Sequence, residues 1–243
     1  MTTEFHGFGG ETRYGYFENP REYYETYQEL PNYYERSWHV DQPAYVAVLC
    51  EASGMVPMIE RAVSQYRVEV ISSSGFDSVT VKHDLFADAL ERYADYGQKT
   101  KLLHLGDHDP SGWWIHNSMN EDLCTFCQDH EDAPDDLVGL RRTALIAEQI
   151  VLYGIEPDLK PPSGDHAKEF IARELGPPAQ LEAIPPDTLS TLIRQDVERT
   201  LDLGVLMETR ERERREQVEV QEKLDVVNQT LLGAFGLDKE GAR

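Results

Sequence analysis

Three carboxylates stand where this chain could use them together: Glu51, Asp107 and Asp109. Glu51 follows the apolar run Tyr45-Val-Ala-Val-Leu-Cys50 and precedes Ala-Ser-Gly54. Asp107 and Asp109 lie in Gly106-Asp-His-Asp-Pro-Ser-Gly112, directly after the run Lys101–Leu105. In an extended segment residues two apart point the same way, so Asp107 and Asp109 converge while His108 faces elsewhere. Pro110 disfavours helix at Asp109 and helps keep that stretch extended. Gly106 and Gly112 admit backbone or phosphate at close range. Such a set of hard oxygen donors suits Mg²⁺, with Mn²⁺ as its substitute, because Mg²⁺ takes few carboxylates and keeps waters and substrate phosphates as its other ligands. An aspartate at a strand end also serves as the cap of the next helix, and that reading stands beside the metal one. Glu51 at an equivalent strand end, with Gly54 after it, weighs toward the metal.

These residues are useful only if the elements before them bring them together. Tyr45–Cys50 reads as a buried strand. Met55, Ile59, Ala62, Val63 and Tyr66 have the spacing of an amphipathic helix. Val68–Ser72 is a second strand closed by Ser-Ser-Ser-Gly75, a helix covers about Ser78–Tyr96, and Lys101–Leu105 is a third strand. A helix then runs to about Gln128, with Ile115, Met119, Leu123 and Phe126 on one face. Asp136–Leu140 is expected as a fourth strand and Arg142–Tyr153 as a helix stopped by Gly154. Strands alternating with helices imply crossover connections and an α/β fold, a mostly parallel, Rossmann-like sheet flanked by helices. In such sheets ligands collect beyond the carboxyl ends of the strands, where all three carboxylates fall.

After a loop over Pro157–Gly164, a short helix is expected at Asp165–Leu175 and a further strand at Ala179–Ile184. Pro185-Pro186-Asp187 opens another helix. About Val205–Phe235 is a long charged helix whose segment Arg210–Glu216 mixes signs as a solvated face does. Its Val218, Leu224, Val227 and Leu231 could dock it on the body or on a second copy, so a homo-oligomer is compatible with it. Residues 1–40 are polar and rich in tyrosine, with a short helical stretch near Pro20–Glu29, and read as an arm. The expected organisation is therefore an arm over 1–40, the α/β domain over 41–204 and a C-terminal charged helix over 205–243.

Other groups compete for attention. Cys124-Thr-Phe-Cys127, with His116 and His130 nearby, has one zinc-like ligand pair where structural sites show two; small cysteines buried on a helix are the simpler reading. Asp-His-Asp also occurs in phosphatases with an aspartate nucleophile, but those carry it on the first strand, and here a strand–helix–strand–helix unit precedes it. His104, His108 and His116 could assist phosphate chemistry or simply pack. Lys82, His83, Arg141 and Arg142 are the basic residues expected nearest the site as phosphate contacts.

The chain has 243 residues and a formal net charge of −22. A protein that grips DNA over a wide surface is usually basic, since phosphate neutralisation supplies most non-specific affinity. A nucleic-acid role therefore requires bound metal or a more basic partner, whereas acidity that merely keeps a protein soluble requires neither. The three cysteines do not make a secreted disulfide framework, and no run is long and apolar enough to span a bilayer. The N-terminal residues lack the layout of a signal peptide, so the expected location is cytoplasmic, with no membrane partner.

Glu51-Ala-Ser-Gly54 with Gly106-Asp-His-Asp-Pro-Ser-Gly112 resembles the Glu…Asp-x-Asp signature of Toprim domains. Within that superfamily it is most similar to the C-terminal domain of the topoisomerase VI A subunit and the related meiotic double-strand-break protein. The Asp-x-Asp-Pro-x-Gly form, the turn Gly75-Phe-Asp-Ser78, Arg142-Thr-Ala-Leu-Ile-Ala-Glu-Gln149, Leu181-Glu-Ala-Ile-Pro-Pro-Asp187 and Trp38-x-x-x-Gln42 all resemble that branch, over about residues 36–200. The resemblance implies a Toprim-like fold, Asp107 and Asp109 as metal ligands, Glu51 as metal ligand or general acid/base, Mg²⁺ as cofactor and DNA as partner. Glu182 is a further candidate near the same site. Two departures stand out. Ala52 replaces the lysine that often follows the first glutamate, and 40 N-terminal residues cannot hold the winged-helix domain that carries the cleaving tyrosine in topoisomerase VI-like enzymes. The expected function is thus a Mg²⁺-dependent nuclease, or the metal-binding half of a cleavage complex whose partner supplies a tyrosine or a basic surface. The alternative is a non-catalytic module that binds metal and DNA or serves assembly.

Overall fold

The computed structural model describes residues 5–6, 12–13, 34–72, 78–158, 162 and 164–235, with 5–6, 12–13 and 231–235 by their backbone alone. The helix expected near Pro20–Glu29, the Ser-Ser-Ser-Gly75 turn and most of Gly75–Ser78 lie outside the described residues. By contacts the chain divides into two compact units, residues 37–209 and residues 1–36 with 210–243.

The larger unit is built on a four-stranded parallel sheet. Its strands are β3 (Ala44–Cys50), β4 (Glu69–Ser72), β5 (Lys99–Leu105) and β6 (Val138–Ala144), in the order β4-β3-β5-β6. Helices α1 (Val56–Val63), α2 (Val79–Tyr96) and α3 (Pro110–Asp129) make the successive crossovers. Beyond β6 come α4 (Ala147–Leu152), α5 (Ala167–Ala172), α6 (Pro186–Thr200) and α7 (Leu203–Phe235).

Alternation along the strands sends apolar side chains to both faces, which is why β3 reads as one unbroken apolar run. Val46, Val48, Cys50, Leu103 and Leu105 pack with Ile59 and Val63 of α1 and with Leu189, Ile193 and Val197 of α6. Ala47, Leu49 and Leu102 pack on the other face with Phe86 of α2 and Met119, Leu123 and Cys127 of α3. Three layers result, with α1 and α6 on one side and α2 and α3 on the other. The chain leaves β3 toward β4 through α1, then crosses back over β3 through α2 to reach β5. The direction of winding therefore reverses between β3 and β5, and the crevice beyond their carboxyl ends is the usual ligand position of such sheets.

Two expectations are corrected. The fourth strand runs to Ala144 instead of stopping near Leu140, so Arg142 is a strand residue and the helix after it is confined to Ala147–Leu152. β-Pairing of Arg141 and Arg142 with Leu103 and His104 outweighs their local preference for helix. Ala179–Ile184 forms no strand: Ala179 makes an isolated antiparallel bridge to His108, and Leu181–Ala183 is a 3₁₀ turn. The paired residue Trp38 is buried under the Arg67 guanidinium, 4.1 Å from its ring, and Gln42 exchanges two hydrogen bonds with the backbone of Asp202. These two positions serve to fasten the entry to β3.

In the smaller unit Phe5–His6 (β1) pairs antiparallel with Thr12–Arg13 (β2). Tyr34 donates to Glu216, and the Arg36 guanidinium pairs with the same carboxylate at 3.2 Å. Among the described residues no helix is long and apolar enough to cross a membrane.

Candidate functional site

Glu51, Asp107 and Asp109 leave the carboxyl ends of β3 and β5, neighbouring strands on either side of the reversal. The Glu51 backbone N–H donates to the carbonyl of Leu105 at 2.9 Å, which ties its start to the end of β5. Gly106 continues the ladder, donating to Ala144 and accepting from Leu145, both at 2.8 Å. A β-carbon on Gly106 would overlap the Glu51 carboxylate, so only glycine leaves room for the acid where it lies.

Asp107 reaches the other way. Its Oδ1 accepts the backbone N–H of Leu181 at 2.8 Å. Asp109 is extended (φ −141°, ψ 174°) and its Oδ1 accepts the N–H of Gly112 at 2.7 Å, so it is the N-cap of α3, with Pro110 opening the helix. Capping is therefore part of what Asp109 does. Gly112 must also be small, because a β-carbon there would run into the backbone carbonyl of Asp107. His108 points aside, buried, with Nε2 2.8 Å from the carbonyl of Leu175 and its backbone bridged to Ala179. Glu182, exposed, follows the residue that holds Asp107.

Behind Glu51 lies a row of polar groups on the α3 side of the sheet. Leu49, His104 and Arg142 are register partners across β3, β5 and β6, and Glu51 stands two residues beyond Leu49. Nε2 of His104 approaches Oε1 of Glu51 to 2.9 Å. Nδ1 of His104 faces Nη1 of Arg142 at 3.2 Å and Nδ1 of His116 at 3.0 Å, the two imidazoles lying nearly parallel. Arg142 is held by the carbonyls of Gly112, at 3.0 Å, and Asp107, and stands 3.6 Å from Oε1 of Glu51.

Burial and charge shape the acid–base properties. Burial pushes the Asp107 carboxyl up; the Leu181 N–H works against this, and the negative charges of Asp109 and Glu51 add to it. Burial pushes His104 and His116 down to about 3, with the Arg142 charge contributing to both, so the two rings are neutral near pH 7. Burial also lowers the Arg142 guanidinium, while the three carboxylates raise it.

Among the described residues no group of three or more His, Cys, Asp or Glu side chains is gathered as a ready cation site. Glu51 is turned toward His104 and Arg142, and Asp109 commits one oxygen to its helix. The donor chemistry nevertheless fits a hard divalent ion. Asp107 and Asp109 each use Oδ1 in the protein, Oδ2 of each accepts no hydrogen bond from the described residues, and burial together with like charge raises Asp107.

The remaining candidates separate cleanly. Lys82 is no phosphate contact: it is buried and paired with Asp122 at 2.6 Å and Ser118 at 2.8 Å. His83 packs edge-on to Phe126, and Arg141 pairs with Asp196 at 2.6 Å. Only Arg142 of that group reaches the carboxylates. Cys124 and Cys127 are free thiols on α3, the second buried. Sequence spacing brought His104 and His116 to notice without giving them a place. The signal was a histidine inside an apolar strand, three residues before Asp107, where a polar ring needs a buried partner.

In comparisons with protein-family models, curated proteins and solved structures, nothing matches the chain.

Proposed function

We propose that the chain carries a Toprim-type, Mg²⁺-dependent site acting on DNA phosphodiesters, either as a nuclease or as the metal-binding half of a topoisomerase VI-like cleavage complex. The observation that carries this reading is the placement of Glu51 and of the Asp107–Asp109 pair at the ends of neighbouring strands where the parallel sheet reverses, with burial and then like charge raising Asp107. Asp107 and Asp109 hold the ion, with Mn²⁺ able to replace Mg²⁺. When bound, the ion neutralises phosphate and stabilises charge on the attacking and leaving oxygens. Glu51 takes the proton of the attacking water or hydroxyl. Arg142, close beside Glu51, supplies the fixed positive charge that Ala52 does not. The test is cleavage of supercoiled plasmid with Mg²⁺ or Mn²⁺. Nicking that vanishes in EDTA and in Asp107→Ala supports a self-sufficient nuclease, and absence of nicking in every metal sinks it.

The net charge of −22 and the capping duty of Asp109 favour a second reading, a module that binds metal and DNA without turnover. Melting with and without Mg²⁺ addresses both, since a ligand of the folded state raises the midpoint. No shift at millimolar Mg²⁺ counts against either reading. A shift that grows with added DNA, without cutting, selects the second.

A further inference from the structure

The row behind Glu51 has a defined hydrogen-bond direction. A guanidinium can only donate, so Nδ1 of His104, 3.2 Å from Nη1 of Arg142, must offer a lone pair. The proton of the neutral ring is then on Nε2, the nitrogen 2.9 Å from Oε1 of Glu51, close enough for a hydrogen bond although the N–H is not aligned on that oxygen here. His116, whose Nδ1 is 3.0 Å from that same lone pair, must carry its own proton on Nδ1. Arg142 cannot swing away to release this order, because two carbonyls, of Asp107 and Gly112, hold its fork. On its other side the Glu51 carboxylate lies against Gly106, where no β-carbon intervenes. The acid thus lies between a backbone and a ring.

We propose that His104 is a positioning residue for Glu51: Arg142 fixes which ring nitrogen carries the proton, and a small turn of the carboxylate onto that N–H, 2.9 Å away, aims it. This rests on the reading of Glu51 as the proton-accepting group. His104 is fully buried and one residue short of the end of β5, so it acts through Glu51 and does not meet substrate. A ring held by a charged donor at one nitrogen restricts the carboxylate far more than solvent would, which is what a base requires.

Long-range ¹H–¹⁵N correlation on the full chain labelled at histidine tests the arrangement without any reaction. His104 is expected as the Nε2–H tautomer and His116 as the Nδ1–H tautomer. In Glu51→Gln the His104 Nε2 proton should move upfield and exchange faster, and in Glu131→Gln, at an exposed position, it should not. A proton on Nδ1 of His104, or an Nε2 resonance indifferent to Glu51→Gln, overturns the proposal whether or not the protein cuts DNA. The second arm is plasmid nicking. His104→Gln keeps an N–H donor and should retain most of the rate, whereas His104→Leu should lose ~10²-fold in kcat with KM little changed. Equal loss in both variants, with both folded, also overturns it. A wild type that nicks nothing sinks the nuclease reading instead, and the resonance test still decides His104.

Discussion

Oδ1 of Asp107 accepts the backbone N–H of Leu181 at 2.8 Å, a bond between residues 74 apart in sequence. It brings the turn before α6 to the end of β5 and leaves Asp107 half-buried beside two other carboxylates. A carboxyl whose pKa rises on folding binds more protons folded than unfolded, so stability falls as pH rises through the window from the ordinary aspartate value of 3.8 up to the raised one. Above that window Asp107 is a net cost to the metal-free fold.

Asp107→Asn keeps an acceptor for Leu181 and removes the charge. In EDTA at neutral pH it should unfold at the same urea concentration as the wild type or a higher one, by up to ~1 kcal/mol. Urea unfolding across acidic pH should show the wild-type slope in that window flattened in the variant. Any stabilisation by Mg²⁺ should disappear with it. A variant clearly less stable in EDTA would show that the charge is already satisfied within the protein.

Asp109 has two duties that substitution can separate. Asp109→Ala loses the cap of α3 and should cost ~1 kcal/mol. Asp109→Asn or Asp109→Ser keeps a capping oxygen and should recover that stability while failing to recover the Mg²⁺-induced shift in Tm. Recovery of both in Asp109→Ser would mean that Asp109 is a cap and nothing more.

The two glycines around the motif should respond differently. Gly106→Ala meets only the end of the Glu51 side chain, which can turn away, so stability should change by less than ~1 kcal/mol while the His104 Nε2 resonance loses its Glu51 partner. Gly112→Ala meets the Asp107 carbonyl, which cannot turn, and should cost ~1–3 kcal/mol. Urea denaturation of the pair checks the contrast, and equal costs would argue against the Glu51 placement.

His104 and His116 give the acid limb of the stability profile. Both fall from 6.5 to about 3 on folding, so the unfolded chain binds more protons between those values. Stability is full above pH 6.5 and is lost as pH falls, with a slope of up to ~1.4 kcal/mol per pH unit for each ring. Substituting His116 with Gln should roughly halve that slope between pH 4 and 6, read from Tm; an unchanged slope would place the lost stability elsewhere.

How much of this was legible beforehand depends on the range of the interaction involved. Alternating apolar runs and helical spacing identified β3, β4 and β5 with their crossovers, because burial on both faces writes itself into consecutive residues. The extended Asp109 before Pro110 was equally local. Arg142 was misassigned to a helix, since its strand state comes from pairing with His104, a partner 38 residues away. Lys82 looked like a phosphate contact for the same reason: its partner Asp122 sits on another helix.

Residue types and local periodicity by themselves determined the parallel α/β architecture and the three carboxylates at strand ends, since backbone sterics and side-chain burial act within a few residues. Only the tertiary structure decided the order β4-β3-β5-β6, which makes Glu51 and Asp107 neighbours, and the row His104–Arg142 beneath them. Strand order and register depend on how both faces pack and which distant backbone groups pair, and no stretch of sequence contains that information alone.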